Sequence, residues 1–182
     1  MIGCISVVCN EEERLPQMIT NIRPWVDQVV IVVQESQDRT LTIAQRLADV
    51  VIEQSCIGYC EPHREIASQA CREPWQLLLD ADETITKQFA KQMRPLLMAG
   101  PMGYYLHRKT TLDGKFWCDE WHYRFFDKRA VKFLDQIHTQ PQERFPGLAS
   151  SINDYVAIEH HKTSHEQSLD DTRTDNLKGT IW

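Results

Sequence analysis

The sequence predicts an α/β fold, with a doubly wound, mostly parallel sheet in its first hundred residues and a small β-rich part after it. Two observations carry this. Apolar runs alternate with helical stripes four times before Gly100-Pro101, as strands joined by crossover helices do. Past that point the chain turns aromatic and alternating, with an Asp113-Gly114 turn signal.

Cys4 to Cys9 is a short apolar run that ends in polar residues, so it reads as the first strand. Leu15, Met18, Ile19 and Ile22 then share one helical face. Val29 to Val33 reads as a second strand, Leu41, Ala44, Leu47 and Ala48 as a second helix, and Val50 to Ile52 as a third strand. A third helix fits Glu61 to Cys71, and Trp75 to Leu79 is a fourth apolar run stopped abruptly by Asp80. A helix from Thr86 to Leu97 buries Phe89, Met93, Leu96 and Leu97, with Thr84 or Thr86 as its N-cap. Tyr104 to His107, Tyr123 to Phe126 and Val131 to Phe133 read as short antiparallel strands, and Val156 to Glu159 is strand-like. From Thr163 the chain is polar, which predicts a loose helix or a frayed tail.

The length of 182 residues, 42% of them apolar, suits a single core. A net charge of −6 excludes a surface dominated by nucleic-acid contacts, so no nucleic-acid partner is expected. Met1 to Cys9 has neither a basic start nor a cleavage site, and no apolar run approaches the ~20 residues of a spanning helix. The expectation is a cytoplasmic protein whose membrane contact is peripheral. Among Cys4, Cys9, Cys56, Cys60, Cys71 and Cys118 there is one close pair and no second, so a zinc site is not expected, and most should be small buried hydrophobes.

In open α/β sheets ligands sit beyond the carboxyl ends of the strands, where Asp80-Ala81-Asp82-Glu83 falls. Two carboxylates one residue apart there can turn toward one hard cation, Mg2+ or Mn2+, that also meets a diphosphate. A bare triplet of this kind also arises by chance, or as a helix cap. Its company adds weight: Asn10-Glu11-Glu12 follows the first strand and Ser36-Gln37-Asp38-Arg39-Thr40 the second.

Here the chain resembles the family-2 glycosyltransferases, in particular the short bacterial branch that includes lipopolysaccharide-core glucosyltransferases. The resemblance rests on Asn10-Glu11-Glu12, on Ser36, Asp38 and Thr40, and on Trp75 to Glu83. It extends to Trp117-Cys118-Asp119-Glu120, Tyr123 to Lys128, Ile137-His138 and Ile158-Glu159-His160. It implies a GT-A fold in one domain, with a nucleotide-binding half over 1–100, an acceptor-side β-rich half over 101–163 and a polar tail over 164–182. It further implies transfer of a sugar, with inversion, from a nucleotide sugar, first of all a UDP-sugar, to a carbohydrate or lipid-linked acceptor in cell-surface polysaccharide synthesis. Asn10, Glu11, Glu12, Ser36, Asp38 and Asp80 then stand near the nucleotide, Asp80 and Asp82 at the metal, and His160 as a further ligand. The family's acid after tryptophan aligns with Glu120, with Asp119 as the alternative, and either is the expected catalytic base.

The chain also departs from that family. Val33, followed by Gln34 and Glu35, stands where an Asp is usual, and either neighbour can accept a hydrogen bond from a nucleobase. His63-Arg64-Glu65 replaces a basic residue followed by Asn, leaving Arg64 either facing a phosphate or solvated on a helix. His138 lacks a following acid. Trp117 and Trp121 suit stacking on a sugar or packing within a hairpin. Two other readings stay open: a haloacid-dehalogenase-like phosphatase with Asp80 as nucleophile, for which no later lysine and acidic pair can be placed, and a degenerate GT-A domain that binds without catalysis. The short stretch to Leu177–Trp182 and Val33 motivate the second.

Overall fold

The computed structural model describes residues 1–136 and 139–168. Ile137, His138 and the tail from Leu169 onward, including Leu177 to Trp182, therefore lie outside the described residues. The element order is β1 (Ile2–Val8), α1 (Leu15–Ile22), β2 (Gln28–Gln34), α2 (Thr40–Leu47), β3 (Val50–Gln54), α3 (Glu61–Ala70), β4 (Trp75–Leu78), β5 (Glu83–Ile85) and α4 (Lys87–Leu96). Then come β6 (Gly103–Leu112), β7 (Lys115–Asp127), β8 (Val131–Lys132), β9 (Gln142–Glu143), β10 (Ala149–Ile152) and β11 (Ile158–Lys162).

Nine strands form one sheet in the order β3-β2-β1-β4-β7-β6-β11-β5, with β10 also on β6. Every residue of β1 and β2 is buried, because helices cover both faces. The period-two pattern of β2 divides its side chains accordingly. Val29, Ile31 and Val33 pack with Leu15, Met18, Phe89 and Met93, whereas Val30 and Val32 pack with Ala67 of α3 and with Cys71 just after it. β1 to β4 are mutually parallel, which puts the ends of β1, β2 and β4 on one edge.

The second half departs from a set of short antiparallel strands. β6 and β7 form a long antiparallel hairpin that continues the sheet from β4. Asp113 and Gly114 turn it, both with positive φ, as a two-residue hairpin loop requires. β10 and β11 run parallel to β6, the latter beginning at Ile158 rather than Val156. The expected strand at Val131 shrinks to two residues paired with β9 in a separate ribbon. β5 was not expected at all; it pairs antiparallel with β11, setting Glu83 opposite His160. Thr86, the later of the two cap candidates, accepts a hydrogen bond from Phe89 N at 3.3 Å. Of the six cysteines Cys4 and Cys71 are buried, Cys56 is exposed and the others are intermediate, so the expectation that most are buried is corrected. Cys9, Cys56, Cys60 and Cys118 lie at strand ends, loops and the hairpin rather than on core faces.

Candidate active site

A cleft of about 470 Å³ opens at the carboxyl edge of β1 and β4, roofed by the β6–β7 hairpin. The turn after β4 supplies its floor. Glu83 N donates to Asp80 O at 3.1 Å and Asp80 N donates to Glu83 Oε2 at 3.0 Å, which closes the tetrapeptide on itself. Ala81 drops into the apolar core, so Asp80 and Asp82 both line the cleft.

Arginines then enter from three elements. Arg124 of β7 donates through Nη2 to Asp80 Oδ2 at 2.7 Å and to Glu83 Oε1 at 3.3 Å. A β-bulge directs it there: Tyr104 pairs with Phe125 and Tyr105 with Tyr123, leaving Arg124 as the extra residue. Arg108 of β6 bridges Glu83, at 3.0 Å, and Glu120, at 2.5 Å. Arg64 of α3 is buried, not solvated on a helix surface, with Nη2 4.0 Å from Asp80 Oδ1 and Nη1 donating to Thr139 O at 2.9 Å. Burial pushes the Asp80 carboxyl up, but the Arg124 and Arg64 guanidiniums outweigh it and hold that carboxyl well below the usual range.

Asp82 meets His160 instead. Their Oδ2 and Nε2 atoms lie 2.9 Å apart, and His160 Nδ1 is 3.1 Å from Thr110 Oγ1. The β5–β11 pairing makes this contact, and His161 N donates to Asp82 O at 3.1 Å beside it. No group of three His, Cys, Asp or Glu side chains among the described residues is arranged to hold a metal. The donor types nevertheless fit a divalent cation. A carboxylate and an imidazole share one wall: at 2.9 Å the Nε2–H donates to Asp82 Oδ2 while Nδ1 faces Thr110 Oγ1, and a cation would take the place of that shared proton. Glu11 lines the cleft too, and burial, followed by the charges of Asp82 and Asp80, raises its carboxyl to about 7.

The two candidate bases separate by face. Glu120 lines the cleft, 2.5 Å from Arg108 Nη2 and 3.2 Å from His122 Nε2. The Arg108 hydrogen bond leads in holding its carboxyl below the usual range. Asp119 points to the other face, where it lies 3.2 Å from the His107 ring that stacks on Trp121. Neither Trp117 nor Trp121 lines the cleft; Trp121 Nε1 donates to Asn153 Oδ1 at 2.9 Å.

Among the residues expected near a nucleotide, Glu11, Arg64 and Asp80 line the cleft, whereas Asn10, Glu12, Ser36 and Asp38 tie its rim together. Asn10 N donates to Ser36 Oγ at 3.1 Å, Asn10 Oδ1 accepts from Gln37 N at 2.8 Å, and Asp38 Oδ2 accepts from Glu12 N at 3.0 Å. Glu12 in turn accepts from Arg39 N at 3.0 Å. Val33 is buried in the core, while Gln34 lines the cleft and donates to Tyr59 O at 2.7 Å. Glu83, Arg108, His122 and Arg124 complete the site without having been expected as functional residues. Arg124 lay within a segment that resembled the family, but nothing there showed where its side chain would point.

Comparison with known proteins agrees with this architecture. The family model described as glycosyl transferase family 2 matches residues 4–156. An uncharacterized glycosyltransferase of Rickettsia felis is 30% identical over 183 residues, covering 91% of this chain and 64% of that protein. Another, from Rickettsia bellii, is 25% identical, covering 76% of this chain and 50% of its own length. The chain thus spans about half to two thirds of the length of the curated relatives it matches. Among solved structures, S. aureus TarS 1–349 in complex with UDP-GlcNAc superposes with a TM-score of 0.69 at 14% identity, over 88% of this chain and 58% of that one. The same protein without that ligand gives 0.67 at 13% identity, over 93% of this chain and 62% of that one, a likeness in fold. With its family model matched over most of its length and the GT-A architecture in place, this chain belongs to glycosyl transferase family 2.

Proposed function

We propose that this chain transfers a sugar from a nucleoside-diphosphate donor to a hydroxyl acceptor, with inversion, in the synthesis of a surface carbohydrate. The observation that carries the reading is the gathering of Asp80, Asp82, His160 and Glu120 in one cleft at the carboxyl edge of a parallel sheet. UDP is the first donor base to try, since the TarS complex carries UDP-GlcNAc. The half over 1–100 takes the donor, joined at the diphosphate by His160 from the half over 101–163, which otherwise covers a carbohydrate or lipid-linked acceptor.

Asp82 and His160, with Asp80, would hold Mn2+ or Mg2+, which when bound neutralises the leaving diphosphate. Glu11 and Arg64 face the same space. Asn10, Glu12, Ser36 and Asp38 contribute by fixing the rim against which a nucleotide would lie. Glu120 receives the acceptor hydroxyl proton while that oxygen bonds to the anomeric carbon and the bond to the diphosphate oxygen breaks with its electron pair. Its lowered carboxyl keeps Glu120 ionised throughout the neutral range. No helix among the described residues is long and apolar enough to cross a membrane, and any membrane contact is proposed as peripheral, on the cytoplasmic face.

A panel of nucleotide sugars tests the donor class by thermal shift with and without Mn2+, because a ligand specific to the native state raises the melting temperature by mass action. UDP-sugars should shift the melt by several degrees. A panel in which no nucleoside diphosphate moves it in either condition would remove the reading.

A further inference from the structure

The cleft holds guanidinium N–H groups that its own acids do not reach. The side chain of Arg124 is 1% exposed, yet its Nε and Nη1 have no hydrogen-bond partner among the described residues. The Arg64 side chain is 7% exposed, and its Nε is likewise without a partner. Both residues line the cleft, reaching it from α3 and β7 on either side of Asp80. Glu83 accepts from Arg108 as well as Arg124, and Glu61, also buried, lies 4.0 Å from Arg64 Nη1, so the unmade N–H groups, and not an excess of positive charge, mark the site. Buried N–H groups of a charged side chain are costly to leave unmade, and native sites keep them where a ligand, an ion or ordered water completes them. A planar guanidinium with free N–H groups suits a phosphoryl oxygen, to which it can donate in a fork.

We propose that Arg64 and Arg124 form a cradle that binds a phosphoryl group of the donor's diphosphate directly, independently of any divalent cation. The proposal rests on the donor reading above and adds a second means of holding the leaving group, opposite the Asp82–His160 wall. In this account Asp80 orients Arg124 through the 2.7 Å bond instead of serving the cation alone.

The test is calorimetry on the whole chain in EDTA, titrating inorganic pyrophosphate, UDP and uridine. Arg64→Gln is the informative variant, because removing Arg124 strips both Asp80 and Glu83 of a buried partner and risks unfolding. Wild type should bind pyrophosphate and UDP in EDTA, Arg64→Gln should bind each at least tenfold more weakly, and uridine affinity should be unchanged. UDP should also compete with pyrophosphate, which places the anion in the donor site and not in an acceptor's acidic group. Binding of UDP with Mn2+ but of neither ligand in EDTA would overturn the cradle and leave the donor reading standing. Pyrophosphate binding that Arg64→Gln does not weaken, or that UDP does not displace, would also overturn it. Failure to bind UDP under every condition would instead remove the donor reading.

Discussion

Glu11 offers a perturbation whose size follows from its surroundings. Its side chain is 26% exposed, and burial together with Asp82 and Asp80 carries its carboxyl from 4.5 to about 7, against a smaller opposing pull from Arg14. At about 1.4 kcal/mol per tenfold change in proton affinity, ionising it in the folded state costs about 3 kcal/mol more than in the unfolded chain. The sign is that of a raised carboxyl. Below pH ~4.5 both states are protonated and nothing is lost; as pH rises toward 7 the unfolded chain releases the proton first and folded stability falls. Glu11→Gln removes the titration. Its stability should match wild type near pH 4.5, pull ahead between about pH 4.5 and 7, and hold a lead of about 1–3 kcal/mol at pH 8. In thermal melts of a chain this size that is a difference of roughly 3–10 °C. Urea unfolding at pH 5 and pH 8 reads it directly. A gap of constant size at both pH values, or a wild type more stable than the variant at pH 8, would refute the reasoning.

Other outcomes follow from the same cleft. Glu83 is fully buried and accepts from Arg108, Arg124 and Asp80 N, so Glu83→Gln should lower stability by about 3–5 kcal/mol in urea unfolding. A loss under ~1 kcal/mol would mean that the arginines find other partners. Glu120→Gln should reduce sugar transfer by roughly 10²- to 10⁴-fold while UDP affinity holds, and Asp119→Asn should leave transfer within about threefold of wild type. Steady-state transfer with calorimetry in parallel decides it, and the reverse pattern would assign the base to Asp119.

The first four strands and their helices were legible because their cores repeat with the periods of regular structure, as in Val29, Ile31 and Val33 against Val30 and Val32. The acids at the end of β4 were legible from their position together with the polar residues that follow β1 and β2. What stayed hidden depended on pairing between distant segments. β5 is three residues directly behind the acid pair, too short for any period, and only its register with β11 brings His160 to Asp82. Arg108 sits in His107-Arg108-Lys109, a polar run in which nothing marks the residue that turns inward. Arg124 is aimed by a bulge, which leaves no trace in composition. Asn10, Glu12, Ser36 and Asp38 were recognised as a set that comes together, but not that their hydrogen bonds would be spent on one another.

The central claim, that Asp82 and His160 with Asp80 hold a cation against a nucleoside diphosphate, is tested most directly by calorimetry of UDP binding with Mn2+ and with EDTA. In wild type, Mn2+ should strengthen UDP binding at least tenfold over the EDTA value, and Asp82→Ala should lose that gain while keeping the EDTA affinity. Equal UDP affinity for wild type and Asp82→Ala in Mn2+, unchanged by EDTA, would contradict the account.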